Sequence, residues 1–103
     1  MISFVETKLF TRSCRNICRT MNTRSFQQVL IANPEAGAII PGSGGVRKLR
    51  WGLAGRGKRG GIRVIYFLRT RQGQIWMLTL YPKNVAENIP AHVLKQIKGE
   101  IDG

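Results

Sequence analysis

The chain has 103 residues, and its 17 Lys+Arg against five Asp+Glu give a formal net charge of +12. This length predicts a single domain over residues 1–103, and a hydrophobic content of 43% is too high for a disordered tail. No stretch approaches the ~18–20 apolar residues that span a bilayer, so a transmembrane protein is excluded. Ten bases and no acid lie between Ala36 and Ala86. This excludes paired-carboxylate or carboxylate-bound magnesium sites there and favours a polyanionic partner.

The first half of the chain reads as one strand and two helices. A strand is predicted over residues 1–6, and Thr7 is placed to cap a helix that runs toward Met21. Thr23 is a second N-cap candidate, and Pro34 should end that helix because proline disfavours helical geometry at the residue before it.

The second half reads as three strands and a helix. Turn pairs fill residues 36–45, and strands are predicted over 46–51, 62–70 and 75–81. A last helix is expected to start near Asn88. The predicted order is β-α-α-β-β-β-α, an α+β domain with an antiparallel sheet packed on the N-terminal helices.

A glycine-rich basic loop joins the first two strands of this meander. Its Gly55–Gly60 segment matches G-x-G-x-x-G, but a strand rather than a helix follows, so dinucleotide binding is rejected. Glycine backbone N–H groups can hold anionic oxygens, and Arg56, Lys58 and Arg59 add positive charge. The alternative is a solvated basic loop with no ligand.

Cations also recur at one spacing in the strands. Lys48 and Arg50 lie two apart and point to the same face, and Arg63 enters the neighbouring strand. Like charges on one pleated face are destabilising unless an anion lies among them. The alternative to a reactive site is a nonspecific RNA-binding face without catalysis.

Cleavage of RNA by its own 2′-hydroxyl needs no metal. Arginine can stabilise the pentavalent phosphorane, and lysine can transfer the proton if its pKa is lowered. The candidates for proton transfer are Lys48, Lys58 and Lys83, and Tyr81 is a possible proton donor or stacking surface.

The numbers of histidine and cysteine residues exclude two further kinds of site. One histidine, His92, excludes a two-histidine ribonuclease. Cys14 and Cys18 with that histidine are too few ligands for structural zinc, so no metal or cofactor is expected and the thiols are expected to be reduced.

Three segments of the chain resemble a known family. They are Asn33-Pro34-Glu35-Ala36-Gly37, residues 40–50 (IPGSGGVRKLR) and residues 57–66 (GKRGGIRVIY), and Leu78–Asn84 continues the likeness. The chain is similar in these segments to the RelE/HigB superfamily of toxins from bacterial type II toxin–antitoxin systems.

The resemblance implies a ribosome-dependent, metal-independent mRNA endonuclease of the cytoplasm. It implies cutting of codons in the ribosomal A site and neutralisation by a cognate antitoxin, here a HigA-like helix-turn-helix DNA-binding protein. Arg63 falls on the family's arginine, Lys48 and Arg50 on its basic strand residues. Lys48 or Lys58 would transfer the proton. The RNA-binding candidates are Arg47, Trp51, Arg56 and Arg59.

The sequence departs from the family pattern in its first helical region. That region is usually rich in Asp and Glu, whereas here it carries four arginines, Arg12, Arg15, Arg19 and Arg24. The two alternatives to an mRNA endonuclease are a non-catalytic RNA- or DNA-binding module and an inactive toxin-like scaffold.

Overall fold

The computed structural model describes residues 2–17, 23–51, 61–69, 73–82 and 91–102. These residues form three helices: α1 (Lys8–Ile17), α2 (Thr23–Ala32) and α3 (Ala91–Asp102). They also form five strands: β1 (Ser3–Glu6), β2 (Ala38–Ile39), β3 (Arg47–Trp51), β4 (Ile62–Arg69) and β5 (Gln74–Pro82). The predicted α+β class is confirmed.

The strands form one sheet in the order β1-β5-β4-β3-β2. The predicted antiparallel meander is present as β3, β4 and β5, and the apolar β5 is central, as expected. Two features differ from the sequence-based expectation. β1 pairs with β5 in parallel, and the two-residue β2 adds an antiparallel edge to β3. The sequence around Ala38 is rich in turn residues, and a strand of only two residues cannot be recognised within it.

The N-terminal helices cover one face of the sheet. Phe10 from α1 and Phe26 and Leu30 from α2 pack against Val64 and Leu80, all almost completely buried. α1 begins after Thr7 and α2 ends before Pro34, as predicted. The predicted extension of α1 toward Met21 and the predicted start of the last helix near Asn88 lie outside the described residues. The Thr7 Oγ1 accepts a hydrogen bond from the Phe10 N–H at 3.0 Å and donates one to the Leu78 carbonyl at 2.7 Å, which ties the start of α1 to β5.

The C-terminal helix covers part of the other face. Leu94 of α3 packs into a second apolar cluster with Val46, Ile65 and Leu78. The ammonium of Lys98 lies 4.7 Å from the centre of the Phe67 ring, a cation–π contact at the rim of this cluster. This cluster also includes Tyr81 of β5. Next to Tyr81 the face carries the side chains of Arg63 and Arg50, and we call this part of the face its polar end.

A β-bulge decides which residue of β5 faces that polar end. From Tyr66 to Arg69 the hairpin keeps one register, in which Phe67 pairs with Trp76. The register shifts by one residue between Ile65 and Tyr66, so that Arg63 pairs with Tyr81. Without the inserted residue, the same hairpin register would place Leu80 opposite Arg63. Bulges of this kind re-aim side chains next to functional sites.

The connection between β2 and β3 is built by the motif Pro41-Gly42-Ser43-Gly44-Gly45. The buried Ser43 Oγ donates to the Ile40 carbonyl at 2.6 Å and accepts from the Val46 N–H at 3.0 Å. Gly44 and Gly45 have φ values of 80° and 102°, a backbone region that side chains strongly disfavour. This turn fixes the residue at which β3 starts, and hence the positions of Lys48 and Arg50.

Candidate active site

A row of three side chains crosses the meander at its polar end. Arg50 on β3 pairs with Arg63 on β4, and Arg63 pairs with Tyr81 on β5. Directly opposite residues share a face, with Cβ atoms about 4.5–5.5 Å apart. We call Arg50, Arg63 and Tyr81 the cross-strand row. Lys48 lies two residues before Arg50 on the same face, so the predicted shared face of Lys48, Arg50 and Arg63 is confirmed.

The members of the cross-strand row differ in exposure. Arg63 is 7% exposed and Tyr81 is 8% exposed, whereas Arg50 is exposed and Lys48 is half-buried. A buried arginine between a second arginine and a phenol is an unusual arrangement, because arginine is almost never fully buried without a partner. The row thus combines a sheltered guanidinium with an accessible one.

The charge of the row is not balanced by Glu6 or Glu35, the two acids whose side chains the structure describes. Glu6 lies on β1, at the far edge of the sheet, and Glu35 lies beside the opposite face. Arg63 makes no side-chain hydrogen bond or ion pair with another described residue. No fully buried side-chain nitrogen or oxygen among those residues lacks a partner.

Thr79 was not singled out by the sequence. It pairs with Ile65 on the same face as the row, and it is only 4% exposed. The signal that could have identified it is a lone hydroxyl within the apolar run of β5. Its position two pairs from Arg63, on the same face, places another polar group near the cross-strand row.

Two residues predicted to bind RNA lie on the other face of the sheet. The Arg47 guanidinium donates to the Gly37 carbonyl at 2.7 Å and to the Glu35 carbonyl at 3.4 Å. Trp51 packs edge-to-face on Phe26, with ring centroids 6.1 Å apart. The structure does not bring Arg47 and Trp51 to the cross-strand row, because strand alternation turns odd-numbered residues of β3 toward the N-terminal helices.

The other predicted site residues are outside the described part of the chain. Arg56, Lys58 and Arg59 fall in residues 52–60, and Lys83 falls in residues 83–90. Their roles stay predictions.

The family-like motif at residues 33–37 anchors the strand that carries Lys48. The buried Tyr66 hydroxyl accepts the Gly37 N–H at 2.8 Å and donates to the Pro34 carbonyl at 2.9 Å. A Cβ on Gly37 would lie 2.8 Å from the Tyr66 ring and 2.9 Å from the Lys48 carbonyl, so no larger residue fits. Since Tyr66 pairs directly with Arg47, the motif holds β3 in register against β4. Nothing in the sequence pattern indicates the two hydrogen bonds of the Tyr66 hydroxyl.

Burial raises the pKa of Tyr66 above its ordinary value of 10.0. The hydrogen bond from Gly37 and the nearby charge of Arg47 oppose this shift but are weaker. The phenol is therefore neutral at physiological pH and keeps the proton that it donates to Pro34.

Among the described residues, no three His, Cys, Asp or Glu side chains lie close enough together to hold a metal ion. Cys14 is disulfide-bonded, and Cys18 is the only other cysteine in the sequence. The expectation of two reduced thiols is therefore wrong for this structure.

The described residues form a small mixed sheet, with two N-terminal helices on one face and a C-terminal helix on part of the other. This arrangement is the RelE-like fold. The solved structure of a double arginine-to-alanine variant of the Escherichia coli toxin RelE, in the free state, is similar to this chain with a TM-score of 0.54. The two are 12% identical, and the match covers 94% of this chain and 96% of that one. No family model matches the sequence.

Proposed function

We propose that this chain is a toxin of the toxin–antitoxin type that cleaves mRNA on the ribosome and is neutralised by a cognate antitoxin. The observation that carries the proposal is the cross-strand row: a sheltered Arg63 between an exposed Arg50 and Tyr81. The likeness of the fold to RelE and the net charge of +12 support it.

The cross-strand row is suited to stabilise the negative charge that develops on the phosphate during phosphodiester cleavage. The ribose 2′-oxygen attacks the adjacent phosphorus, and the bond from phosphorus to the 5′-oxygen breaks. This leaves a 2′,3′-cyclic phosphate and a 5′-hydroxyl. The Arg63 guanidinium stabilises the extra negative charge of the phosphorane, because preorganised donors in a water-poor site are most effective where charge develops. Arg50 binds a second phosphate oxygen from the exposed side.

Two protons must move in this reaction, one from the 2′-hydroxyl and one to the leaving 5′-oxygen. Lys48 lies two residues from Arg50 on the same face and is the described candidate to accept the first. Tyr81 lies opposite Arg63 and is the described candidate to donate the second. Lys58 and Lys83 are the other candidates from the sequence.

The partners follow from this activity. The ribosomal A site supplies the mRNA, and the protein would act in the cytoplasm. A HigA-like antitoxin with a helix-turn-helix is proposed from the sequence resemblance alone. None of the described helices is long and apolar enough to cross a membrane.

The direct test is mRNA cleavage in a purified translation system, mapped by primer extension with and without ribosomes. Cuts within codons that occur only with ribosomes are expected. Intact mRNA in both reactions, from a protein that still binds RNA, would leave a non-catalytic binding module. Tight binding to an antitoxin without cleavage or growth arrest would leave an inactive toxin-like scaffold.

A further inference from the structure

A second cationic surface lies on α1, away from the cross-strand row. Residues at positions i, i+3, i+4 and i+7 of a helix share one face, and here they are Lys8, Thr11, Arg12 and Arg15. All four side chains are exposed. We call them the α1 cationic face. Together with Glu6 they line an open recess of about 310 Å³.

The α1 cationic face carries more positive charge than its own residues balance. Arg12 follows Lys8 by four positions and precedes Arg15 by three, spacings at which like charges destabilise a helix. Among the described residues that line the recess, Glu6 is the one acid, and its Oε1 accepts a hydrogen bond from the Thr11 hydroxyl at 3.3 Å. Three cations against one carboxylate leave this face suited to an anionic partner.

The chemistry of the recess favours a nucleic-acid backbone over an acidic protein. Protein interfaces have an apolar, aromatic-rich centre. The recess is lined by charged side chains and one hydroxyl, and the apolar Phe10 of α1 is turned into the core. Arginine, lysine and threonine side chains are the groups that contact phosphate oxygens in nucleic-acid complexes.

The two cationic surfaces lie on opposite sides of the sheet. Phe10 and Cys14 of α1 pack on the cluster with Val64 and Leu80, whereas Tyr81 packs with the cluster covered by α3. One short strand of RNA at the cross-strand row therefore does not also reach α1. We infer that the α1 cationic face binds the phosphate backbone of a second, structurally separate segment of single-stranded RNA.

The test measures how RNA affinity depends on salt. The probe is a fluorescent 2′-O-methyl RNA 20-mer, which cannot be cleaved, so the result does not depend on the proposed function. Arg12→Ala/Arg15→Ala should reduce the slope of log K against log[salt] by roughly 1.4, the value for two lost single-strand phosphate contacts. Arg24→Ala/Lys95→Ala removes two other exposed cations and is the charge-matched control. Equal effects of the two double variants would overturn the inference.

Two further arms separate the alternatives. In an Arg50→Ala/Arg63→Ala background the same reduction of roughly 1.4 is expected, because the surfaces act independently. A reduction that disappears in this background would mean that both surfaces hold one RNA segment. A polyglutamate peptide tests the protein alternative. If Arg12→Ala/Arg15→Ala weakened only polyglutamate binding and left the RNA slope unchanged, the face would belong to an acidic protein.

Discussion

The two faces of the sheet are built from the same strands, but one is closed by apolar packing and the other carries a row of polar side chains. The face under α1 and α2 is closed by aromatic and aliphatic side chains, with Phe26 and Leu30 almost completely buried. The face under α3 is apolar at one end and carries Arg50, Arg63 and Tyr81 at the other. Because side chains alternate along a strand, each strand contributes to both.

This difference means that one face of the sheet contributes mainly to stability, whereas the other carries the residues of the candidate site. Packing on the α1/α2 face supplies the burial that holds the strands together. The cross-strand row keeps two like charges opposite each other, an arrangement that does not favour folding. Substitutions on the α1/α2 face should therefore lower stability and leave the activity of the folded protein intact. Substitutions in the cross-strand row should lower activity and leave stability intact.

The largest effect is expected from the closed face. Phe26→Ala should lower the free energy of unfolding by about 3–5 kcal/mol, because it removes a buried ring and leaves a cavity. Denaturant unfolding measures it, and Leu9→Ala, at a helix position that is 39% exposed, is the control, with a change within about 0.5 kcal/mol. The folded fraction of Phe26→Ala should still cleave RNA. Loss of cleavage by that folded fraction would remove the distinction between the faces.

The Tyr66 hydroxyl tests the anchor of β3. Tyr66→Phe leaves the buried Gly37 N–H without its acceptor and should cost about 1–3 kcal/mol of unfolding free energy. A cost below about 0.5 kcal/mol would show that the motif at residues 33–37 does not depend on this bond.

The Thr7 cap should have a smaller effect. Thr7→Ala removes the acceptor for the Phe10 N–H and should cost about 0.5–2 kcal/mol. Thr7→Ser keeps the hydroxyl and is the control. A Thr7→Ser variant as unstable as Thr7→Ala would show that the methyl group, rather than the cap, matters.

The smallest effect is a pH dependence at alkaline pH. The folded-state pKa of Tyr66 is raised above the unfolded value of 10.0, so above that pH the unfolded chain binds fewer protons than the folded one. The stability contributed by the neutral phenol is present below pH 10.0 and is lost as pH rises through the folded-state pKa. Melting temperatures between about pH 9 and pH 11.5 should fall more steeply for the wild type than for Tyr66→Phe. Melting temperatures that fall equally steeply with pH in the two proteins would contradict a raised pKa of Tyr66.

Much of the fold could be predicted because its signals are local. Thr7 caps a helix, and alternation along β3 separates Lys48 from Leu49. The features of the fold that could not be predicted depend on contacts between distant parts of the chain. The parallel pairing of β1 with β5 and the two-residue β2 depend on tertiary contacts that no short window of sequence contains.

The candidate site was predictable in part for the same reason. Period-two spacing put Lys48 and Arg50 together, and Arg63 followed from the adjacent strand. The position of Tyr81 depends on the β-bulge, which has no signal in an apolar run where Leu80 and Tyr81 fit either face equally well. Arg47 and Trp51 were grouped with the bases near them in sequence, although strand alternation separates them.

The most direct test of the central claim is the single-turnover rate of cleavage of ribosome-bound mRNA by Arg63→Ala relative to the wild type. The expected result is a rate lower by roughly 10²–10³-fold, the loss typical of one transition-state donor, with a melting temperature no lower than that of the wild type. Arg63→Lys should not restore the rate, since an ammonium lacks the planar fork of the guanidinium. An Arg63→Ala protein that cuts at the wild-type rate would show that the cross-strand row is not the site of cleavage.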